Sequence, residues 1–167
     1  MKTTNIMILG LTALTLSACA TKRDRLPPEP VGTTEVTEAT PTPSAPTPGS
    51  QEDFVASTAS DRIFFDTDKF DVDQQDMDIL RSQATWLQRY PSVRVTVEGH
   101  CDERGTRDYN LALGERRANG AKNFLASLGI SPARITTISY GKERPDALGS
   151  NEESWAKNRR AVSVTVR

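Results

Sequence analysis

The chain of 167 residues sets 21 Lys and Arg against 22 Asp and Glu, a formal net charge of −1. The charge is uneven, acidic over 61–78 and net basic from Arg81 onward, a pattern that does not favour nucleic acid, so no nucleic-acid partner is expected. A single histidine, His100, is too few for a catalytic zinc centre, which usually takes two or three, and no metal or cofactor is expected.

The chain opens with Lys2 and an apolar run, Ile6-Met7-Ile8-Leu9-Gly10-Leu11, that continues to Leu16. A basic start, a short apolar stretch and small residues at its end predict a secretory signal over 1–18. The run falls short of the roughly 20 apolar residues that span a bilayer. Leu16-Ser17-Ala18-Cys19 resembles the lipobox of bacterial lipoproteins, which implies cleavage before Cys19 and lipidation of its thiol. The alternative is an ordinary cleaved signal with a cysteine beside the cut. Several acyl chains, at roughly 0.8 kcal/mol per buried CH₂, anchor a protein without a spanning helix. Ala20 stands where Asp favours inner-membrane retention in such lipoproteins, which points to the periplasmic face of the outer membrane. With Cys19 used this way, Cys101 has no intramolecular partner and is either buried or a free thiol.

Residues 20–53 contain no aromatic residue and seven of the ten prolines, as in Pro41-Thr42-Pro43-Ser44-Ala45-Pro46-Thr47-Pro48. Such a composition cannot bury enough apolar surface to fold, so 19–53 is expected to be a lipidated, extended tether. Stretched at about 3.3 Å per residue, it would reach on the order of 110 Å. From Phe54 to Arg167 the composition is that of one compact domain.

Within it, Ile63-Phe64-Phe65 reads as a strand. Val72, Met77, Leu80, Ala84, Leu87 and Tyr90 recur at helical spacing and predict a helix over 73–90, closed by Pro91. Seven Asp against two basic residues over 61–78 crowd its start. They suit either a solvated helix start or a ligand of mixed charge. Val93 to Glu98 alternates strictly, as a strand with one buried face does. A second helix is predicted over 107–128, ended by Gly129, then a strand over 135–140, a short helix over 152–158 and a last strand over 161–166. Alternating strands and helices give helices layered on a sheet, with the strand order open.

Leu113, Arg117, Ala121, Phe124 and Leu128 share one face of the second helix, so Arg117 interrupts a core stripe. A guanidinium there needs a carboxylate partner or a route to water. Either its head snorkels to solvent, or it leans toward a pocket at the N-terminal end of the helix. The segment Gly99-His100-Cys101-Asp102-Glu103-Arg104-Gly105-Thr106 joins a strand end to that helix start, a common ligand position in α/β architectures.

That segment with Tyr109-Asn110 and Leu113-Gly114-Glu115-Arg116-Arg117-Ala118-Asn119 resembles the OmpA-like peptidoglycan-binding domain family. Phe65-Asp66-Thr67-Asp68-Lys69-Phe70-Asp71, Ser139-Tyr140-Gly141-Lys142-Glu143-Arg144-Pro145 and Lys157-Asn158-Arg159-Arg160-Ala161-Val162 extend the match over nearly all of 60–167. The resemblance implies an α/β sandwich with helices on one mixed four-stranded sheet. It also implies peptidoglycan as partner, with Asp102 and Arg117 gripping the amino and carboxylate groups of diaminopimelate in the stem peptide. Phe65, Thr67 and Asp68 would line the pocket from the first loop, and Arg104, Gly105, Thr106 and Leu113 would complete it. Lipoprotein members of that family also bind the propeller protein TolB in the Tol system, which acts in outer-membrane constriction, so TolB and other Tol proteins are expected partners. A motor-stator domain can share the fold but would need a membrane-spanning helix. Gly114, Ala121 and Cys101 depart from the family's usual residues, and the two on the helix are expected to weaken it or its packing slightly.

An enzyme is the rival reading. His100 beside Cys101 suggests a thiol nucleophile, but neighbours in an extended segment point to opposite faces, and no catalysis is expected.

Overall fold

The computed structural model describes residues 45–166. The expected signal peptide, Cys19 and the expected tether up to residue 44 lie outside the described residues.

The described region begins with a helix that composition hides. Helix α1 (Gln51–Ser57) starts three residues before the expected domain start at Phe54. Ser50 caps it by accepting from the Asp53 N–H, and Glu52 and Asp53 sit where the helix dipole favours acids. Phe54 is fully buried, edge-on to Trp86 at 5.0 Å. Gln51 Oε1 accepts from the backbone N–H and the hydroxyl of Thr165, near the other end of the described chain.

Strands β1 (Arg62–Phe64), β2 (Arg94–His100), β3 (Ile135–Gly141) and β4 (Arg160–Val166) form one sheet in the order β1-β4-β2-β3. β4 runs antiparallel to both β1 and β2, while β2 and β3 are parallel. Parallel neighbours need a crossover, and α3 (Arg107–Ser127) supplies it. Helix α2 (Gln74–Arg89) joins α3 on the same core, where Ile63, Leu80, Leu87, Val95, Val97 and Leu125 pack. The short α4 (Glu152–Asn158) precedes β4. Helices on one mixed four-stranded sheet are the architecture that the sequence led us to expect.

Each helix end has a local cause. Asp73 accepts from the Asp76 N–H at the head of α2. Thr106 accepts from the Tyr109 N–H at the head of α3. At the other end of α3, Gly129 takes φ 92° and the Ile130 N–H donates back to Leu125 O, a Schellman closure. The Arg134 guanidinium donates to the carbonyls of Leu87, Tyr90 and Val93, filling acceptors that the end of α2 leaves open.

The departure at Gly114 has a packing reason. A Cβ on Gly99 would stand 1.8 Å from Gly114 O, and one on Gly114 would stand 2.4 Å from Ser139 Oγ. Helix and sheet therefore touch backbone to backbone here, which brings the first turns of α3 down onto the ends of β2 and β3. The pairing of β2 with β3 slips by one residue between Gly99 and His100. Such a bulge re-aims the chain where it leaves the sheet.

Candidate ligand-binding cleft

Beyond the bulge, residues 101–106 form a loop between β2 and α3. The Cys101 N–H donates to Gly141 O, and Asn110 Nδ2 donates to the carbonyls of Arg104 and Thr106. Lys142 Nζ donates to the carbonyls of Glu103 and Gly105, and Gly105 takes φ 83°. The loop is thus fixed by its backbone, and its side chains stand over a cavity of about 300 Å³.

Seven of the nine expected ligand residues line this cavity: Thr67 and Asp68 from the loop after β1, Asp102, Arg104 and Gly105 from the second loop, and Leu113 and Arg117 from α3. Asp68 holds φ 57°, left-handed for a non-glycine residue, and accepts from the Tyr109 hydroxyl. Two expected residues lie outside the lining. Phe65 is buried with its ring beneath the Arg117 guanidinium, 5.1 Å from its centroid, and lines a neighbouring cavity. Thr106 uses its hydroxyl as the cap of α3. Cys101, Tyr109 and Asn110 line the cavity and were not anticipated. Helical spacing could have signalled two of them, since Tyr109 and Asn110 stand three to four positions before Leu113.

Arg117 is 0% exposed, so its head does not snorkel. Nor does any carboxylate among the described residues pair with it. Its Nε donates to Lys69 O at 2.8 Å, Nη1 to His100 O at 2.8 Å and Nη2 to Asp66 O at 3.0 Å. Burial pushes its pKa down, with the charges of Cys101 and Asp102 opposing. Three of its five guanidinium N–H donors thus go to carbonyls, and the side chain lines the cavity wall.

Asp102 is 7% exposed. Its Oδ1 accepts from the Arg104 backbone N–H and Nε, its Oδ2 accepts from Arg104 Nη2 at 2.6 Å, and Arg159 Nη1 lies 3.5 Å from Oδ2. Burial alone would raise its pKa, but the bonds and charge of Arg104, with Arg159 behind, hold it below the ordinary carboxylate value. A buried cation and a buried anion therefore share one small cavity without facing each other as a pair. That arrangement suits a ligand carrying both signs of charge.

His100 and Cys101 do not cooperate. The thiol donates to Asn110 O at 3.3 Å, while the imidazole lies tilted on Tyr140 at 5.5 Å between ring centroids. Burial, then the charge of Arg160, lowers the His100 pKa to about 4, so its approach to Glu98 at 3.6 Å is no ion pair at neutral pH. Burial pushes the Cys101 thiol up, away from its nucleophilic form. Cys101 is thus both buried and free.

The model of the OmpA family matches residues 64–159, which include every residue of the cleft. The chain belongs to the OmpA family. Among its relatives, the peptidoglycan-associated lipoprotein of Agrobacterium fabrum is 47% identical over 161 residues, 96% of this chain and 87% of that one. The protein of the same name from Brucella melitensis is 53% identical over 120 residues, 72% of this chain and 71% of its own. The crystal structure of the peptidoglycan-associated lipoprotein from Burkholderia pseudomallei superposes with a TM-score of 0.63 at 42% identity, covering 65% of this chain and 92% of that one. This OmpA-family chain shares with those relatives far more than the cleft, since the Agrobacterium match runs almost its full length.

Proposed function

We propose that this protein is a lipoprotein of the outer membrane whose cleft binds diaminopimelate in the stem peptide of peptidoglycan without covalent attachment. The observation that carries the reading is that buried Asp102 and Arg117, not bonded to each other, line one cavity of about 300 Å³. Arg117 takes the carboxylate, since a guanidinium can present paired N–H groups to it as Lys cannot. Asp102 takes the ammonium. Thr67, Asp68, Gly105 and Leu113 set the cavity's size, and Phe65 braces Arg117 from below. Relatives that are named for their association with peptidoglycan support the choice of ligand.

In this proposal Cys19 carries the lipid on the periplasmic face of the outer membrane, residues 1–18 are removed, and the segment to residue 53 is the tether. Many weakly held domains on one sheet of wall sum to firm attachment. Tyr109 and Phe70, 44% and 40% exposed, stand close to the cleft and offer a surface to TolB and other Tol proteins. Occupancy by one partner would then exclude the other, which ties the tether to constriction at division.

The test is co-sedimentation of the full chain with diaminopimelate-type peptidoglycan, beside Asp102→Asn and Arg117→Lys at matched circular dichroism. Lys is used because Arg117→Ala would strand three buried carbonyls and confuse binding with folding. Binding by the wild type that both variants lose is the expected result. Folded wild type left in the supernatant would overturn the reading.

A further inference from the structure

Arg159 lies between α4 and β4, far in sequence from the loop it serves, and it is 5% exposed. Its Nε donates to Phe65 O at 2.9 Å, its Nη2 to Glu152 Oε1 at 2.7 Å, and its own carbonyl accepts from the Phe65 N–H at 2.9 Å. Its Nη1 is buried without a hydrogen-bond partner and stands 3.5 Å from Asp102 Oδ2. A buried donor left unmade is costly, and the carboxylate 3.5 Å away is already taken from the front.

That front partner is Arg104. It covers both oxygens of Asp102, yet its side chain is 39% exposed and rests on the Trp155 ring at 4.3 Å and on the Thr67 hydroxyl. Water can replace each of those contacts. A ligand ammonium that pairs with Asp102 competes with the Arg104 guanidinium for the same two oxygens. Arg159, pinned at three points and closed off from solvent, has no comparable freedom.

We propose that Arg159 is a positioning residue: when a cationic ligand group displaces Arg104, it stays behind Asp102 and holds the carboxylate ionised and aimed into the cleft. The proposal rests on the cleft being a site for a zwitterionic ligand. Arg104 is then a built-in competitor that the ligand must displace, and Arg159 a fixed counter-charge that remains through the exchange. The other charged or titratable groups around Asp102 are Arg117 from α3, Glu103 and Cys101 from its own loop, and Asp68 across the cavity from the loop after β1, while Glu152 of α4 bonds Arg159.

The experiment follows the Asp102 carboxyl carbon by NMR titration in the full-length protein, with meso-diaminopimelate as the probe ligand. In folded Arg159→Met, Asp102 is expected to titrate at higher pH than in wild type. Binding should weaken about tenfold, the scale of one lost charged hydrogen bond, and its acid-side loss should begin at higher pH. Arg159→Lys should restore part of both. A folded Arg159→Met with the wild-type titration and the wild-type pH profile of binding would overturn the proposal. A measurement on wild type alone covers the case in which the Met variant does not fold: the Arg159 guanidinium protons should shift and gain exchange protection on saturation with diaminopimelate. No change in those protons would equally overturn it. If wild type binds no diaminopimelate, the functional reading fails, and the Asp102 titration in Arg159→Met still decides whether Arg159 holds the carboxylate.

Discussion

Two buried titratable side chains outside the cleft pull stability in opposite directions with pH. Burial, above all, raises Asp76 to about 6 from 3.8, and its Oδ2 has no hydrogen-bond partner. His100 is lowered to about 4 from 6.5. Between about pH 4 and 6 the folded state holds the Asp76 proton more tightly than the unfolded chain does, so this group's contribution falls as pH rises. Over the same interval the unfolded chain protonates His100 more readily than the folded state, so that contribution grows. Asp76→Asn removes the first effect alone. Its stability relative to wild type should climb from near zero at pH 4 to about 2–3 kcal/mol at pH 7, read from urea melts across that range. A difference that does not change with pH would show that Asp76 does not titrate in the folded state as its burial requires. Cys101 gives a second prediction at this scale: Cys101→Ser should bind peptidoglycan as wild type does, because the hydroxyl can still donate to Asn110 O. Cys101 should also react slowly with maleimide until the domain unfolds. Rapid labelling of the folded protein would contradict the suppressed thiolate.

At the scale of elements, the contact between α3 and the sheet is decided by two glycines. Gly99→Ala would force a methyl group into the Gly114 carbonyl, backbone against backbone, with no side chain able to yield. We expect a loss of about 3 kcal/mol or more, or no folded protein, whereas Ala at exposed Gly129 positions no clash and costs only the strain of its left-handed turn. Thermal melts of the two variants would separate these mechanisms. The periodicity of Val93 to Glu98 and of the stripe from Leu113 to Leu128 made the strands and helices legible, because alternation and helical spacing are local properties of sequence. Gly114 was legible only as a weak helix former. Its purpose depends on Gly99 and Ser139, which are remote in the chain. Arg117 was legible as an anomaly, but not its answer: two carbonyls from the loop after β1 and one from the end of β2 cannot be read from side-chain spacing. Arg159 escaped for the same reason, since the pairing of β4 with β1 brings it to Phe65 and the pairing of β4 with β2 brings it to Asp102. The strand order β1-β4-β2-β3 was likewise closed to pattern, which reports a strand's faces and not its neighbours.

For the whole molecule, the fold begins ahead of the residue where composition turns apolar. A chain cut to start at Phe54 loses the Ser50 cap, the Gly49 N–H that Asp53 accepts, and both bonds from Gln51 to Thr165. It should be about 2–3 kcal/mol less stable than a chain starting at residue 45, measured by chemical denaturation. Equal stability would make α1 a passenger. The placement of α1 also has a mechanical consequence. Tension applied to the chain at residue 45 enters through α1, then through the three-residue strand β1, and β1 runs directly into the loop bearing Thr67 and Asp68. The pull therefore reaches one wall of the cleft before it reaches α3 and the loop ahead of it, which carry the other wall. Unravelling α1 would lengthen the chain by about 13 Å and leave the cleft lining in place, since no cleft residue lies on it. Helix α1 can act as a short extensible link that yields before the grip does, with release following only when β1 peels from β4.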